Sequence, residues 1–373
     1  MITIKNSPEQ QELMKAIGDK RNAVSMPAQE AYAAAIGPVI QKVLSQLGTA
    51  SIIYTDFPFG ENDNMSIPLD LFYDQVGGYL QTWHAPSVIG HLPTSEIAGF
   101  GEMKFTTYEL ESAVSVPKKY ARSQSALNVL TRATERMVNE LLNKQELIAW
   151  SVIMKALGEA TTTVNGTNVD HFIQAGTAGV FKLDDLNRLI TLSRRNQVAY
   201  NGTTPVQSYS EGITDLFVSP EVKEDIRAFA YNPMNTTATP NTDESTALGL
   251  PDRVREELYR SAGTSSLWDI NITDLVEFGV SSNYNTLFGA YAPASIAPGG
   301  GNFSAASNEI VLGIDVRKKE FIRPIATDGD ISSSISVSVD SQWPERAQKV
   351  GWYSTLKEGR SCVFSKSVVS IVL

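Results

Sequence analysis

The longest regular pattern of apolar residues lies between about residues 125 and 157, in a stretch without proline. Apolar side chains recur there at the three-, four- and seven-residue spacings of a helix with one buried face. A helix of this length spans roughly 50 Å at about 1.5 Å per residue. Lys144 interrupts the stripe, which disfavours a sustained coiled coil. We therefore predict a single strut whose packing face contains Leu130, Met137, Leu141 and Ile148.

The segment before this helix has a different pattern, in which apolar and polar residues alternate as they do in β-strands. Ten aromatic residues lie between Tyr54 and Tyr108, interleaved with many glycines and prolines. So many chain breakers are not typical of a compact sheet with its own core. The pattern indicates an extended β-arm whose aromatic side chains need another surface to cover them. From residue 7 to 47 we predict one or two short helices, broken near Gly18 and Pro27, that dock elsewhere.

Helical and strand patterns mix after the long helix. Asp184 is the expected N-cap of a short amphipathic helix. Further on, a strand from Ile213 to Val218 leads into a second helix, with Ser219 as its cap and Pro220 at its first position. The C-terminal segment alternates again, in ISVSV, KVGWYSTL and CVFSKSVVSIVL. Its short connections favour antiparallel pairing, and the whole pattern predicts the α+β class.

Composition and charge restrict the function. The chain has 373 residues and a net charge of −10, which argues against a nucleic-acid-binding groove built on clustered basic side chains. A single cysteine, Cys362, excludes intramolecular disulfides, and the three histidines share no metal-ligand spacing. No segment approaches the ~20 apolar residues of a membrane span, and the N-terminus does not resemble a secretion signal. We expect a soluble protein made in the cytoplasm.

Catalytic motifs are missing from the sequence. It contains neither a phosphate-binding loop nor a nucleophile elbow, and Pro298 to Gly301 lack the strand and helix that flank a dinucleotide fingerprint. The adjacent pair Asp184 and Asp185 fits a helix cap better than acid–base chemistry, since neighbouring helical side chains diverge. We therefore expect a protein that is not an enzyme, with no catalytic residues, no cofactor and no metal.

The order of elements resembles the major capsid proteins of tailed bacteriophages, which have the Hong Kong 97-type fold. Three stretches carry the resemblance: YELESAVSVPKKYARSQSALNVL, LDDLNRLITLSRRNQ with DLFVSPEVKEDIRAF, and WPERAQKVGWYSTLKEGRSCVFSKSVVSIVL. They are similar to the end of the extended loop with the spine helix, to the axial-domain elements, and to the closing peripheral-domain strands. The resemblance covers nearly the whole chain, as a pattern rather than a residue signature.

The resemblance implies a division of the chain into the parts of that fold. These are an N-terminal arm (1–48), an extended β-hairpin loop (49–116), a peripheral domain (117–205) with the spine helix at 125–157, an axial domain (206–321), and C-terminal strands that return to the peripheral domain (322–373). The spine helix would pack on the C-terminal sheet. The β-arm would reach a neighbouring subunit, and its expected intersubunit contacts are Phe57, Phe59, Phe72, Tyr79 and Trp83.

The function implied by the resemblance is self-assembly into hexamers and pentamers of an icosahedral shell around double-stranded DNA. The expected location is the virion, after synthesis in the host cytoplasm. Expected partners are further copies of the chain, a portal protein, scaffolding proteins and a decoration protein, with no membrane and no sequence-specific DNA binding. Only about 48 residues precede the β-arm, so we expect separate or no scaffolding and no cleavage. The alternatives are an encapsulin-like nanocompartment shell and a soluble enzyme with an unrecognised site.

Overall fold

The computed structural model describes most of the chain, with gaps. The described residues are 8–19, 21–46, 48–60, 66–69, 101–121, 126–159, 161–164, 167–196, 212–229, 234–235, 247–248, 253, 266–327, 335–340, 348–363 and 365–373. Seven of the described helices are α1 (Pro8–Ile17), α2 (Asn22–Gln46), α3 (Lys118–Ala121), α4 (Ala126–Gly158), α5 (Leu183–Asn196), α6 (Pro220–Ala228) and α7 (Asn283–Gly289).

The described strands are mostly short, and two of them reach eleven residues. They are β1 (Thr55–Gly60), β2 (Ser66–Leu69), β3 (Gly101–Lys104), β4 (Thr107–Pro117), β5 (Thr161–Val164), β6 (Thr167–Asp170), β7 (Phe172–Gln174), β8 (Asp215–Val218), β9 (Met234–Asn235), β10 (Ala247–Leu248), β11 (Ser266–Leu267), β12 (Ile270–Asp274), β13 (Ile310–Ile314), β14 (Phe321–Thr327), β15 (Ile335–Val339), β16 (Lys349–Gly359), β17 (Ser361–Cys362) and β18 (Val368–Val372).

The chain divides into two compact units, each assembled from separated segments. The first unit takes Met1–Ser66, Lys104–Trp150 and Phe321–Ser361. The second takes Ile67–Met103, Ser151–Glu320 and Cys362–Leu373. Segments far apart in sequence therefore fold together, as is possible where chain ends meet in one domain.

The sheet of the first unit is built around β16. Strand β4 pairs antiparallel along the whole of β16, with Lys349 opposite Pro117 and Gly359 opposite Thr107. On the other side of β16 lie β15 and β14, both antiparallel to it, and β1 then pairs parallel with β14. Alternate residues of β4 are less exposed than their neighbours, which indicates that one face of the strand packs on the core and the other meets solvent.

The second unit has a mixed sheet in the order β11, β12, β8, β13, β18, β7. Strands β8, β13 and β18 are buried along their whole length, so both faces of the sheet are covered. On one face, α5 and α6 contribute Leu189 and Ile226 to a core that also contains Leu216 and Val311. On the opposite face, the ring of Phe288 lies 5.7 Å from that of Phe172.

The predicted α+β class is confirmed, and several local predictions hold. The Ser219 side chain caps α6 by accepting a hydrogen bond from Val222 N, and Pro220 begins the helix. The N-terminal prediction is partly wrong: α1 ends before Gly18, but α2 continues through Pro27. Burial of Tyr32 and other residues one turn later accompanies this continuous helix, so tertiary packing outweighs the hydrogen bond that proline removes.

Candidate assembly surfaces

The long helix packs on the sheet of the first unit through one side. Met137 and Leu141 are buried, and they form a cluster with Leu356 of β16. Leu110 and Val337, from the strands on either side of β16, pack against the same cluster. This geometry follows from the helical period: Met137 and Leu141 are four residues apart and therefore share a face. The strut braces three strands at once.

The other predicted members of that face have different surroundings. Ile148 is half-buried, and the side chain of Leu130 lies outside the described residues. Beyond Leu141, polar contacts of Glu146 and Trp150 with Thr49 hold the helix to the segment that follows the N-terminal helices. The Glu146 carboxylate accepts hydrogen bonds from Thr49 Oγ1 at 2.6 Å and from Trp150 Nε1 at 3.2 Å. Trp150 itself is fully buried.

The N-terminal helices dock on the same sheet, next to the long helix. The rings of Tyr32 and Trp352 lie 5.1 Å apart, and Ile17, Val116 and Val350 complete this cluster. Trp352 Nε1 also donates a hydrogen bond to the Gln29 carbonyl at 3.4 Å. Helices from the beginning of the chain and strands from its end thus share one core.

A buried ionic cluster lies at the far end of β16, around Glu358. Its carboxylate accepts hydrogen bonds from Tyr108 Oη (2.7 Å), Gln145 Nε2 (3.0 Å) and Arg360 Nη2 (3.2 Å). Burial, with Glu358 alongside, raises the pKa of the Tyr108 hydroxyl. The three donors belong to β4, to α4 and to the residue after β16, so one carboxylate connects three elements.

Arg323 extends this cluster to the first strand. Its Nε lies 2.8 Å from Asp56 Oδ1, and Nη2 donates to Asp56 Oδ2 at 3.2 Å. The same guanidinium lies 4.0 Å from the Glu358 carboxylate. A buried cation held between two carboxylates stabilises the arrangement only as a complete network, because removal of one partner leaves a charge without its counter-ion.

The predicted intersubunit aromatics fall in two groups. Phe57 is 39% exposed on β1, with its ring 6.0 Å from that of Phe105, whereas Phe59 is 4% exposed and so has little surface left for a neighbour. Phe72, Tyr79 and Trp83 lie outside the described residues. Their role in contacts between subunits remains a prediction.

Burial shifts the pKa values of several ionisable side chains in the described part of the second unit, among them His171 and Glu309. Burial lowers the pKa of His171, whose Nδ1 lies 2.8 Å from the Val368 carbonyl, and so favours the neutral form of the ring. Burial raises the pKa of Glu309 to about 7; its hydrogen bond with Ser219 opposes this effect, and the nearby carboxylates of Glu221 and Asp225 add to it.

The described residues contain a surface cleft but no cluster of metal ligands. Nowhere in the described ranges do three His, Cys, Asp or Glu side chains come together in a way that could hold a metal ion. A shallow cleft of about 470 Å³ runs along α5 and is lined by Ile173, Asp184, Asn187, Arg188, Thr191, Leu192 and Arg195. The prediction of Asp184 as N-cap is wrong, because α5 begins at Leu183. The buried Asp185, in the first turn, instead reaches back and accepts hydrogen bonds from Gly176 N and Lys182 N.

Membrane insertion by a helix finds no support in the described part of the chain. Every helix there is too short or too polar to cross a bilayer.

Comparisons with known proteins show similarity in structure rather than in sequence. No protein-family model and no characterised protein matches the sequence. The capsid of cyanophage P-SCSP1u is 13% identical over 86% of each chain, with a TM-score of 0.49. The capsid of a native GTA particle is 11% identical over 87% of this chain and 90% of that one, at 0.48. The SrpI encapsulin of Synechococcus elongatus is 8% identical over 86% and 84%, at 0.43.

Sequence reasoning missed the residues that hold the first unit together through polar contacts. Glu358 and Arg360 flank Gly359 in the short connection between two strand patterns, where charged residues are ordinarily solvated. Tyr108, which donates a hydrogen bond to Glu358, lies 250 positions away in sequence. No local sequence pattern relates residues so far apart, so the contact could not be predicted. Trp352 and Tyr32 were likewise assigned to separate elements, without a sign that their rings meet.

Proposed function

We propose that this chain is the major capsid protein of a tailed bacteriophage with the Hong Kong 97-type fold, and that it assembles into the hexamers and pentamers of an icosahedral shell. The observation that carries the proposal is the long helix packed along one side on a sheet formed by strands from before it and from the end of the chain. Such a helix serves as a brace for the sheet on which it packs.

The length of the brace supports this function. The part of α4 within the first unit, from Ala126 to Trp150, spans roughly 38 Å at about 1.5 Å per residue. Contacts fix this part of the helix at successive points along its length: Met137 and Leu141 pack on the sheet, and Glu146 accepts a hydrogen bond from Thr49. The subunits of a protein shell must resist bending, and a helix packed along a sheet makes the subunit stiff.

The negative net charge of the chain also supports the proposed function. The acidic net charge suits a shell that encloses double-stranded DNA without gripping it. We further propose that the aromatic β-arm covers a neighbouring subunit, with Phe57, Phe72, Tyr79 and Trp83 supplying contact area. The virion is then the site of action, and portal, scaffolding and decoration proteins are its expected partners.

The domain boundaries given by the resemblance remain part of this proposal. The spine helix corresponds to α4, and β2 pairs with β3 on either side of residues 70–100, where the resemblance places the extended loop. The mixed sheet of the second unit, with α5 and α6 against it, corresponds to the axial domain together with strands from both flanking segments.

Expression of the full chain followed by sedimentation and nucleic-acid analysis tests the proposal. We expect megadalton particles or capsomer rings, and nuclease-protected double-stranded DNA in particles formed during infection. Closed shells that carry protein cargo and no protected DNA would favour the encapsulin-like nanocompartment. A stable monomer at all concentrations, with a small-molecule activity, would overturn both shell hypotheses in favour of the enzyme.

A further inference from the structure

The outer edge of β4 is a long strand edge without a partner strand in the described part of the chain. Strand β4 has eleven residues and pairs there with β16 alone. From Glu109 to Ser115, the residues whose side chains lie on its solvent face are exposed: Glu109, Glu111, Ala113 and Ser115. A fully extended strand of this length presents roughly 37 Å of edge at about 3.4 Å per residue.

The hydrogen-bonding direction along β4 can be read from two contacts. Lys118 N donates to the Gln348 carbonyl at 2.8 Å, and the Ser112 carbonyl accepts from Ser354 Oγ at 3.3 Å. In an antiparallel ladder, backbone groups alternate between the two sides of the strand. The N–H and C=O groups of even-numbered residues of β4 therefore point toward β16, and those of odd-numbered residues point away from it, toward the open edge. Pro117, which has no N–H, stands at an outward position, as expected for an edge.

Charged side chains, which usually prevent an exposed strand edge from pairing with another strand, lie along only the first half of β4. Native proteins guard exposed edges with charged side chains, because a bare edge is a template for another strand. Glu109 and Glu111 guard the first half of β4, and Glu109 also lies 3.7 Å from Lys357 on the neighbouring strand. The second half offers Ala113 and Ser115, which are small and uncharged.

This asymmetry makes β4 complementary to a second copy of itself. Two antiparallel β4 strands overlap completely when the two copies of Ser112 face each other. Glu111 of one copy then faces Ala113 of the other, and Glu109 faces Ser115. Every carboxylate meets a small neutral side chain, and the outward residues pair with outward residues, giving roughly eight backbone hydrogen bonds. A shift by two residues, which would bring the two copies of Glu111 face to face, is disfavoured by like-charge repulsion.

We propose that β4 pairs with β4 of a second copy across a two-fold axis, joining the sheets of two subunits into one. The inference rests on the proposed shell in one respect: icosahedral shells contain two-fold axes, and an isologous contact places one surface against itself. Another strand at this edge, such as the β-arm of a neighbour or a strand of a decoration protein, would not place Ser112 of one subunit opposite Ser112 of another. The pairing register therefore distinguishes a second copy of β4 from these other occupants.

A cysteine at the centre of the register tests the pairing. In a Cys362→Ser background, Ser112→Cys places two thiols on a pair whose Cα atoms are about 4.5 Å apart, within the range of a disulfide. We expect most of the protein to run as a covalent dimer after mild oxidation of concentrated protein. The matched control, Ser115→Cys, faces Glu109 in the same register and should remain mostly monomeric. Equal crosslinking of both variants, or of neither, would overturn the proposal.

Charge changes at Ala113 give a second test that leaves the core of the subunit untouched. Ala113→Glu creates two like-charge contacts with Glu111 of the other copy, and should weaken the two-fold contact about tenfold. Ala113→Lys creates two attractive contacts instead and should preserve or strengthen it. Sedimentation equilibrium measures both, with circular dichroism as a control for folding. Equal weakening by both variants would mean that another partner occupies the edge.

Failure of this inference and failure of the proposed function are distinguishable. Shells that form normally with Ala113→Glu, and without dimers from Ser112→Cys, would overturn the β4 pairing and leave the capsid function standing. Covalent dimers from Ser112→Cys in a protein that never forms shells would establish the pairing and argue against the capsid.

Discussion

Glu309 makes the stability of the second unit depend on pH in an unusual direction. The Glu309 residue is 7% exposed, and burial raises the pKa of its carboxyl group from the usual 4.5 to about 7. The folded chain therefore keeps a proton that the unfolded chain releases between these two values. Stability from this residue is fully present below pH 4.5 and is lost as the pH rises through about 7. This trend is opposite to that of an ion-paired carboxylate.

The size of the effect follows from the two pKa values. One pKa unit corresponds to about 1.4 kcal/mol, so the difference between 4.5 and about 7 corresponds to about 3 kcal/mol in total. Between pH 5 and pH 8 the expected loss is about 2.5 kcal/mol, since part of the change falls below pH 5. Glu309→Gln retains a neutral amide beside Ser219 and cannot ionise, so this loss should disappear in the variant.

Urea denaturation of dissociated subunits at pH 5 and pH 8, followed by tryptophan fluorescence, measures the difference. From pH 5 to pH 8, the free energy of unfolding of the unsubstituted chain should fall by about 2.5 kcal/mol more than that of Glu309→Gln. Glu224→Gln, an exposed change on α6, is the matched control and should follow the unsubstituted chain at both values. The same dependence on pH in Glu309→Gln and in the unsubstituted chain would refute the reasoning.

Three further predictions concern the first unit and the β-arm. Leu141→Ala should cost about 2–5 kcal/mol of unfolding free energy, whereas Leu147→Ala, 46% exposed on the same helix, should cost under about 0.5; equal losses would contradict the packing face. Glu358→Ala should destabilise by about 3–5 kcal/mol because it leaves the buried Arg360 guanidinium without its carboxylate, and thermal melts in which Glu358→Gln is no milder would argue against the hydrogen-bonded network. Trp83→Ala should impair assembly in sedimentation runs yet leave a folded subunit; parallel loss of folding would make this residue ordinary core.

Local chemistry made part of the fold predictable. The long helix could be located from its stripe and from the absence of proline between residues 125 and 157, and it occupies Ala126–Gly158. Ser219, Pro220 and Glu221 form a cap whose signal lies within three residues, and the structure has it as expected. Strand alternation at Ile335 to Val339 was equally local. In each case the physical cause lies within one element.

Contacts between distant elements were beyond such reasoning. The partner of Glu358 on α4 lies 213 positions away, and nothing near either residue indicates the pair. Trp268 shows a different limit: its alternation with Ile270 and Ile272 is typical of a strand, but it lies in a turn at φ 53° and is 42% exposed. Turn geometry there depends on the hairpin of β11 and β12, since Trp has no intrinsic preference for positive φ.

Cryo-electron microscopy of the purified protein shows whether this chain builds a shell. We expect closed icosahedral particles, or hexameric and pentameric rings, in which the long helix lies along a sheet in every subunit. Homogeneous monomers or small open oligomers, under conditions in which the subunit is folded and concentrated, would contradict the claim that this chain builds a shell.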